Sequence, residues 1–164
     1  MRAKLRTIPF KNSDSSAPAE RKMAQTAFKR YSHKVGNNFW HFEWCTKYRY
    51  EMMCKLENKN LVEACIRKSA SEHGIIIGEL AVMPEHVHML STLPNGMTDS
   101  KALQLLKGRS AYLIFRNKEK TRLRYPKGHF WAPSSFSTTV GHSDIATCIQ
   151  YIRNQQEHHK VVFA

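Results

Sequence analysis

Two short runs rich in strand-forming residues, 75–82 and 86–93, are separated by only Met83-Pro84-Glu85. Three residues cannot carry a chain across a sheet, so the runs pair as antiparallel neighbours. The second run opens on His86-Val87-His88. Side chains alternate along a strand, so both imidazoles share one face while Val87 points into a core on the other. The pair forms a two-pronged chelate on one rigid element, although an isolated His-X-His is more often an ordinary strand end.

The rest of the chain supplies elements around this hairpin. Residues 38–50 read as a first strand, with Phe39, Trp40, Phe42, Trp44 and Tyr48 running into Lys47 and Arg49. Asn60-Leu61-Val62-Glu63 has the form of a capping box, and Val62, Cys65, Ile66 and Ser69 recur at helical spacing until Gly74. After Asn95-Gly96, Thr98 or Asp99 caps a second helix to about Phe115, with Leu106, Ser110, Leu113 and Ile114 inward. A basic loop over 117–128 leads to Phe130-Trp131, and 136–140 reads as a final strand closed by Gly141. Strand, helix, strand, strand, helix, strand is the order of a ferredoxin-like α+β domain: an antiparallel four-stranded sheet with helices on one face. The other sheet face is left for something else, and after Gly141 comes a last helix over about 143–159, capped by Ser143 or Asp144. Its stripe is Ile145, Cys148, Ile149 and Ile152, with Tyr151 and Gln155 four residues apart on the shoulder.

Charge narrows the partners. Lys and Arg number 26 against 13 Asp and Glu, a net charge of +13, which points to a polyanion and foremost to nucleic acid. Residues 1–36 hold nine of those cations against Asp14 and Glu20, interrupted by Pro and Ser. They are expected to form a flexible basic arm, with a short helix possible over 23–31, leaving 37–164 as a single domain. No long apolar run suggests a spanning helix and no secretion signal is evident. Cys45, Cys54, Cys65 and Cys148 lack Cys-X-X-Cys spacing and fit a reduced, cytoplasmic protein.

Several blocks, taken in order over about 37–159, resemble the single-tyrosine HUH transposases of the insertion-sequence 200/605 family. They are Lys47-Tyr48-Arg49, the segment from Met83 to Leu90, Leu106-Lys107-Gly108-Arg109-Ser110, Phe130-Trp131, Thr139-Val140-Gly141 and Tyr151-Ile152-Arg153-Asn154-Gln155. The chain departs from that pattern in its longer basic arm and in Ser135, where many relatives have an aromatic.

The resemblance implies that His86, His88 and Gln155 bind a divalent metal, Mg2+ or Mn2+, and that Tyr151 is the nucleophile. A free phenol is mostly protonated at neutral pH, so such a nucleophile needs activation or a polarised electrophile. Three protein ligands leave metal positions open for a scissile phosphate. Attack would give a 5′-phosphotyrosine and a free 3′-hydroxyl, and a second 3′-hydroxyl would rejoin strands. The resemblance further implies single-stranded DNA with a subterminal hairpin as substrate, and a homodimer in which the tyrosine helix serves either its own chain or the partner. Lys47, Arg49, Lys107, Arg109, Arg116, Arg122, Arg124 and Lys127 are candidate phosphate contacts; Glu119 is the one acid between Lys107 and Lys127. Glu85 and His129 are sequence-adjacent candidates for a general base. The competing readings are a related nicking enzyme, such as a replication initiator or domesticated repeat-associated transposase, and a non-catalytic ferredoxin-like module that stacks nucleic acid on sheet aromatics.

Overall fold

The computed structural model describes residues 29–30 and 35–163. Most of the expected arm, including Met23 to Phe28 of its anticipated helix, lies outside them. Lys29 and Arg30 are extended rather than helical: strand β1 (Lys29–Arg30) pairs antiparallel with β2 (Val35–Gly36).

The main sheet contains β3 (Phe39–Cys45), β4 (Ile76–Val82), β5 (His86–Thr92) and β6 (Phe136–Thr139), in spatial order β4-β5-β3-β6. Every neighbouring pair is antiparallel. Helix α1 (Leu56–Glu72) follows β3 and α2 (Asp99–Asn117) follows β5, so the expected ferredoxin-like order is present. A one-turn helix α3 (Thr121–Arg124), then α4 (Ile145–Arg153) and α5 (Gln155–His158), complete the described chain.

Period-two alternation sorts β3 between two cores. Phe42 and Trp44 face α1 and α2 and pack with Val87, Met89, Ile66, Leu106 and Ile114. Phe39 faces the other way, where Leu90 meets Ile145, Ile149 and Ile152 of α4. Both faces of β5 are therefore covered, and all seven of its residues are buried. Thr98 caps α2 by accepting the Lys101 N–H at 3.2 Å. Gly74 ends the first helical segment with φ +68°, and the Cβ of any other residue would sit 3.6 Å from Pro94 Cγ.

Three local expectations are corrected. Helix α1 begins at Leu56, one turn before the supposed Asn60 cap, and its N-cap Lys55 makes no side-chain capping bond. The favourable helix formers of 56–59 extend it past the box. Strand β3 stops at Cys45, because Lys47–Arg49 form a tight turn with Tyr48 and Arg49 at φ 64° and 52°. The last helix breaks at Asn154 (φ −79°, ψ 1°) into α4 and α5, and its N-cap Asp144 makes no side-chain capping bond.

Ile152 is fully buried and pins α4 to the sheet. Ile152→Ala is expected to cost about 2–5 kcal/mol, read as a lowered Tm in calorimetry, and to loosen Tyr151 beside it. A Tm equal to wild type would contradict that packing role. No helix among the described residues is long and apolar enough to cross a membrane.

Candidate active site

The site lies on the sheet face covered by α4. His86 and His88 project from β5, and the register places His88 opposite Glu43, with His86 opposite Cys45. Their rings lie 5.0 Å apart between centroids at an interplanar angle of 82°. Val87 is fully buried on the opposite face, as alternation requires.

Each imidazole is tethered through Nδ1. His86 Nδ1 donates to Glu85 Oε1 at 2.9 Å, which fixes the tautomer and leaves the lone pair on Nε2. His88 Nδ1 meets His41 Nε2 at 3.4 Å and lies 3.8 Å from Glu43 Oε2. Burial first, then the neighbouring His86, His41 and His159, pushes the His88 pKa down to about 3. His88 is therefore neutral at pH 7, the state a metal ligand needs.

That shift carries a pH prediction. An unfolded histidine protonates near 6.5 while folded His88 resists to about 3. Between those values the unfolded chain binds the extra proton, so this group lowers stability as pH falls through the window. The Tm of metal-free wild type is expected to drop more steeply from pH 7 to pH 4 than that of His88→Gln. Parallel profiles would refute the assignment.

Tyr151 stands on α4 with its ring 5.8 Å from His88 and 5.9 Å from His41, nearly perpendicular to both. Its side is half exposed, at 50%. The phenol is thus packed against the histidines of its own chain yet open to a strand passing over the sheet. Gln155 is 1% exposed. Despite the break at Asn154, its Nε2 donates to the Tyr151 carbonyl at 3.2 Å, keeping the expected four-residue relation. Its Oε1 is buried with no hydrogen-bond partner among the described residues. One turn further on, His159 places its ring 5.4 Å from His86.

An orphaned buried acceptor is costly and calls for an occupant. Among the described residues, no group of three His, Cys, Asp or Glu is arranged to hold a metal. Gln155, whose buried amide oxygen is unpartnered among the described residues, is the further candidate donor, just past the helix that covers the sheet face of the two imidazoles. Two imidazoles and one carbonyl-type oxygen as a donor set suit a divalent ion of intermediate hardness.

The expected phosphate contacts divide. Lys47, Arg124 and Lys127 gather around one cleft with His129. Arg124 stacks 3.9 Å from the Tyr50 ring centroid, and Arg122 lies 4.9 Å from that of Phe115. Lys107 donates to the carbonyls of Pro133 and Ser134 at 3.0 and 3.2 Å, and burial lowers its pKa. Arg109 makes a two-pronged ion pair with Glu72 at 2.6 and 3.0 Å, on the helix layer behind the sheet. Arg49 and Arg116 are exposed.

Glu85 is engaged by His86, and His129 lines the cleft rather than the tyrosine. Sequence reasoning missed His41, Glu43 and Phe136, which share the site face. Phe136 lies 6.3 Å from His41. The signal was present in β3: if Trp40, Phe42 and Trp44 face a core, His41 and Glu43 face the chelate.

A ferredoxin-like domain with a histidine pair on a central strand, and a tyrosine on the helix covering it, defines the class. The chain belongs to the IS200-like transposase family, whose model matches residues 34–155. It is 28% identical over 118 residues to the ISDra2 transposase TnpA of Deinococcus radiodurans, covering 72% of this chain and 84% of that one. It is 27% identical over 133 residues to the IS200 transposase of Salmonella typhimurium, covering 81% and 86%. A crystal structure of a putative transposase from Deinococcus radiodurans R1 superposes with TM-score 0.63 at 29% identity, covering 77% of this chain and 97% of that one. A REP-associated tyrosine transposase bound to a REP hairpin has the same fold, with TM-score 0.57 at 19% identity over 84% and 76%.

Proposed function

We propose that this transposase cleaves and rejoins single-stranded DNA through a covalent bond to Tyr151. The observation carrying this reading is the half-exposed Tyr151 ring beside His88 and His41. In the forward step the Tyr151 oxygen attacks the scissile phosphorus as its proton is lost. The phosphorus–O3′ bond breaks, and the departing 3′-hydroxyl takes up a proton. A second strand's 3′-hydroxyl then attacks the phosphotyrosine, releases Tyr151 and restores a phosphodiester. One ester replaces another in each step, so no nucleotide hydrolysis is needed.

His86, His88 and Gln155 would hold the divalent ion, Mg2+ or Mn2+. When bound, that ion supplies Lewis-acid stabilisation of charge on the scissile phosphate. Glu85 keeps His86 in the ligating tautomer, and the apolar contacts of Ile149 and Ile152 hold the tyrosine helix against the sheet.

The proposed substrate is DNA with a subterminal hairpin. The +13 charge and the structural neighbour solved with a hairpin support it. Residues 37–164 act as one domain in this reading, and two copies form a homodimer. Contact between Tyr151 and His88 of the same chain supports a site completed in cis. Co-refolding His86→Ala with Tyr151→Phe tests this: mixed dimers with a cis site remain inactive, whereas recovered cleavage shows a tyrosine serving its partner. The reading itself is tested with labelled hairpin-bearing single strands, where a magnesium-dependent adduct is expected. Binding with no adduct on any element-derived end contradicts it.

A further inference from the structure

We infer that the cleft between the 47–50 turn and the 124–129 loop is a seat for one unpaired nucleobase of the DNA strand, stacked on Tyr48. This rests on DNA being the substrate, but not on the chemistry at Tyr151. The cleft measures about 350 Å3, near the lower end of ligand pockets, so it admits a nucleoside-sized group and not a duplex. Tyr48, Tyr50 and His129 offer ring surfaces, while Lys47, Arg124 and Lys127 supply charge; among the described residues no Asp or Glu lines it.

Tyr48 does not serve a core. It is 66% exposed, and it is held with Arg49 in the left-handed region, which bulky side chains rarely adopt. Such conformations persist where surrounding structure enforces them, and they gather at functional sites. The enforcement is visible here: Thr46 N–H donates to the Glu85 carbonyl at 2.8 Å, the Thr46 hydroxyl donates to the Tyr50 carbonyl at 2.7 Å, and Lys47 N–H donates to the Phe130 carbonyl at 2.8 Å. The floor is rigid too, since Tyr125 is buried against Phe115 and Phe130. The Tyr48 ring is thereby presented to solvent, with the Lys47 ammonium 5.2 Å from its centroid and Tyr50 5.4 Å away. A base stacked on it would have its flanking phosphates among the three cations. Stacking tolerates every base, so the seat selects for an unpaired nucleotide rather than a sequence. Because Thr46 is bonded to Glu85, the residue before His86, the seat is tied to the strand that carries the histidine pair.

The test uses the full chain carrying Tyr151→Phe, which prevents turnover, and hairpin oligonucleotides with 2-aminopurine placed at successive unpaired positions. One position is expected to show quenched fluorescence on binding. Adding Tyr48→Asn, which suits the left-handed backbone, should relieve the quench and weaken binding roughly 10-fold to 100-fold, without lowering Tm. Adding Tyr48→Phe should retain both quench and affinity. The seat is overturned if no position is quenched, if Tyr48→Asn binds within twofold of its parent, or if Tyr48→Phe loses as much as Tyr48→Asn. An otherwise wild-type Tyr48→Asn that still forms the Tyr151 adduct at full affinity rejects the seat and leaves the transposase reading standing. A chain that binds none of the oligonucleotides overturns both.

Discussion

Tyr151→Phe is expected to abolish strand cleavage and joining, by at least about a thousandfold as for other removed nucleophiles, while hairpin DNA binds with affinity close to wild type. The substitution removes one hydroxyl from a half-exposed ring whose packing partners are His41 and His88. Phenylalanine keeps the ring contacts, so the fold and the DNA surface remain. Gel-shift affinity and denaturing electrophoresis on the same samples check both halves. Residual cleavage at the wild-type position would remove Tyr151 from the nucleophile's role. A parallel loss of binding would mean that the phenol's contribution is to DNA affinity rather than to bond making.

His86→Ala and His88→Ala are each expected to eliminate detectable cleavage and to weaken Mn2+ binding by more than the 10–100-fold typical of removing a supporting residue. Gln155 separates ligand loss from damage to the fold. Its buried Oε1 has no partner among the described residues, and an unpaired buried acceptor costs stability in the metal-free chain. Gln155→Met replaces it with an apolar group of similar length, so the metal-free Tm is expected to hold or rise as Mn2+ affinity falls. Calorimetry on metal-free protein and Mn2+ titration give the two numbers. A lower Tm with unchanged affinity would assign Gln155 a packing role only.

The hairpin of β4 and β5 was legible because its signals are local: strand-forming runs, a three-residue connection and a period of two. The burial of Val87 beneath His86 and His88 follows from that period alone. The α4 stripe was legible for the same reason, with Ile145, Ile149 and Ile152 at helical spacing and Cys148 partly buried beside them. What sequence did not disclose depends on partners distant in the chain. His41 joins the site because β3 pairs with β5, bringing residues 47 positions apart within 3.4 Å. The 47–50 turn was hidden because Tyr48 and Tyr50 continue the strand-forming aromatics of β3, whereas the backbone bonds of Thr46 to Glu85 and of Lys47 to Phe130 hold the left-handed turn. Arg109 read as a free phosphate contact because its ion pair with Glu72 spans two helices. Conversely, Tyr151 and Gln155 kept their mutual placement through a helix break that the periodicity did not signal.

The central claim is tested most directly by incubating wild-type protein with hairpin-bearing single-stranded DNA in magnesium and in EDTA, then mapping any adduct by peptide mass spectrometry. The account predicts a magnesium-dependent species with a 5′-phosphorylated DNA fragment attached to Tyr151 and an equimolar fragment ending in a 3′-hydroxyl. An adduct on another residue, or equal yield in EDTA, would contradict it.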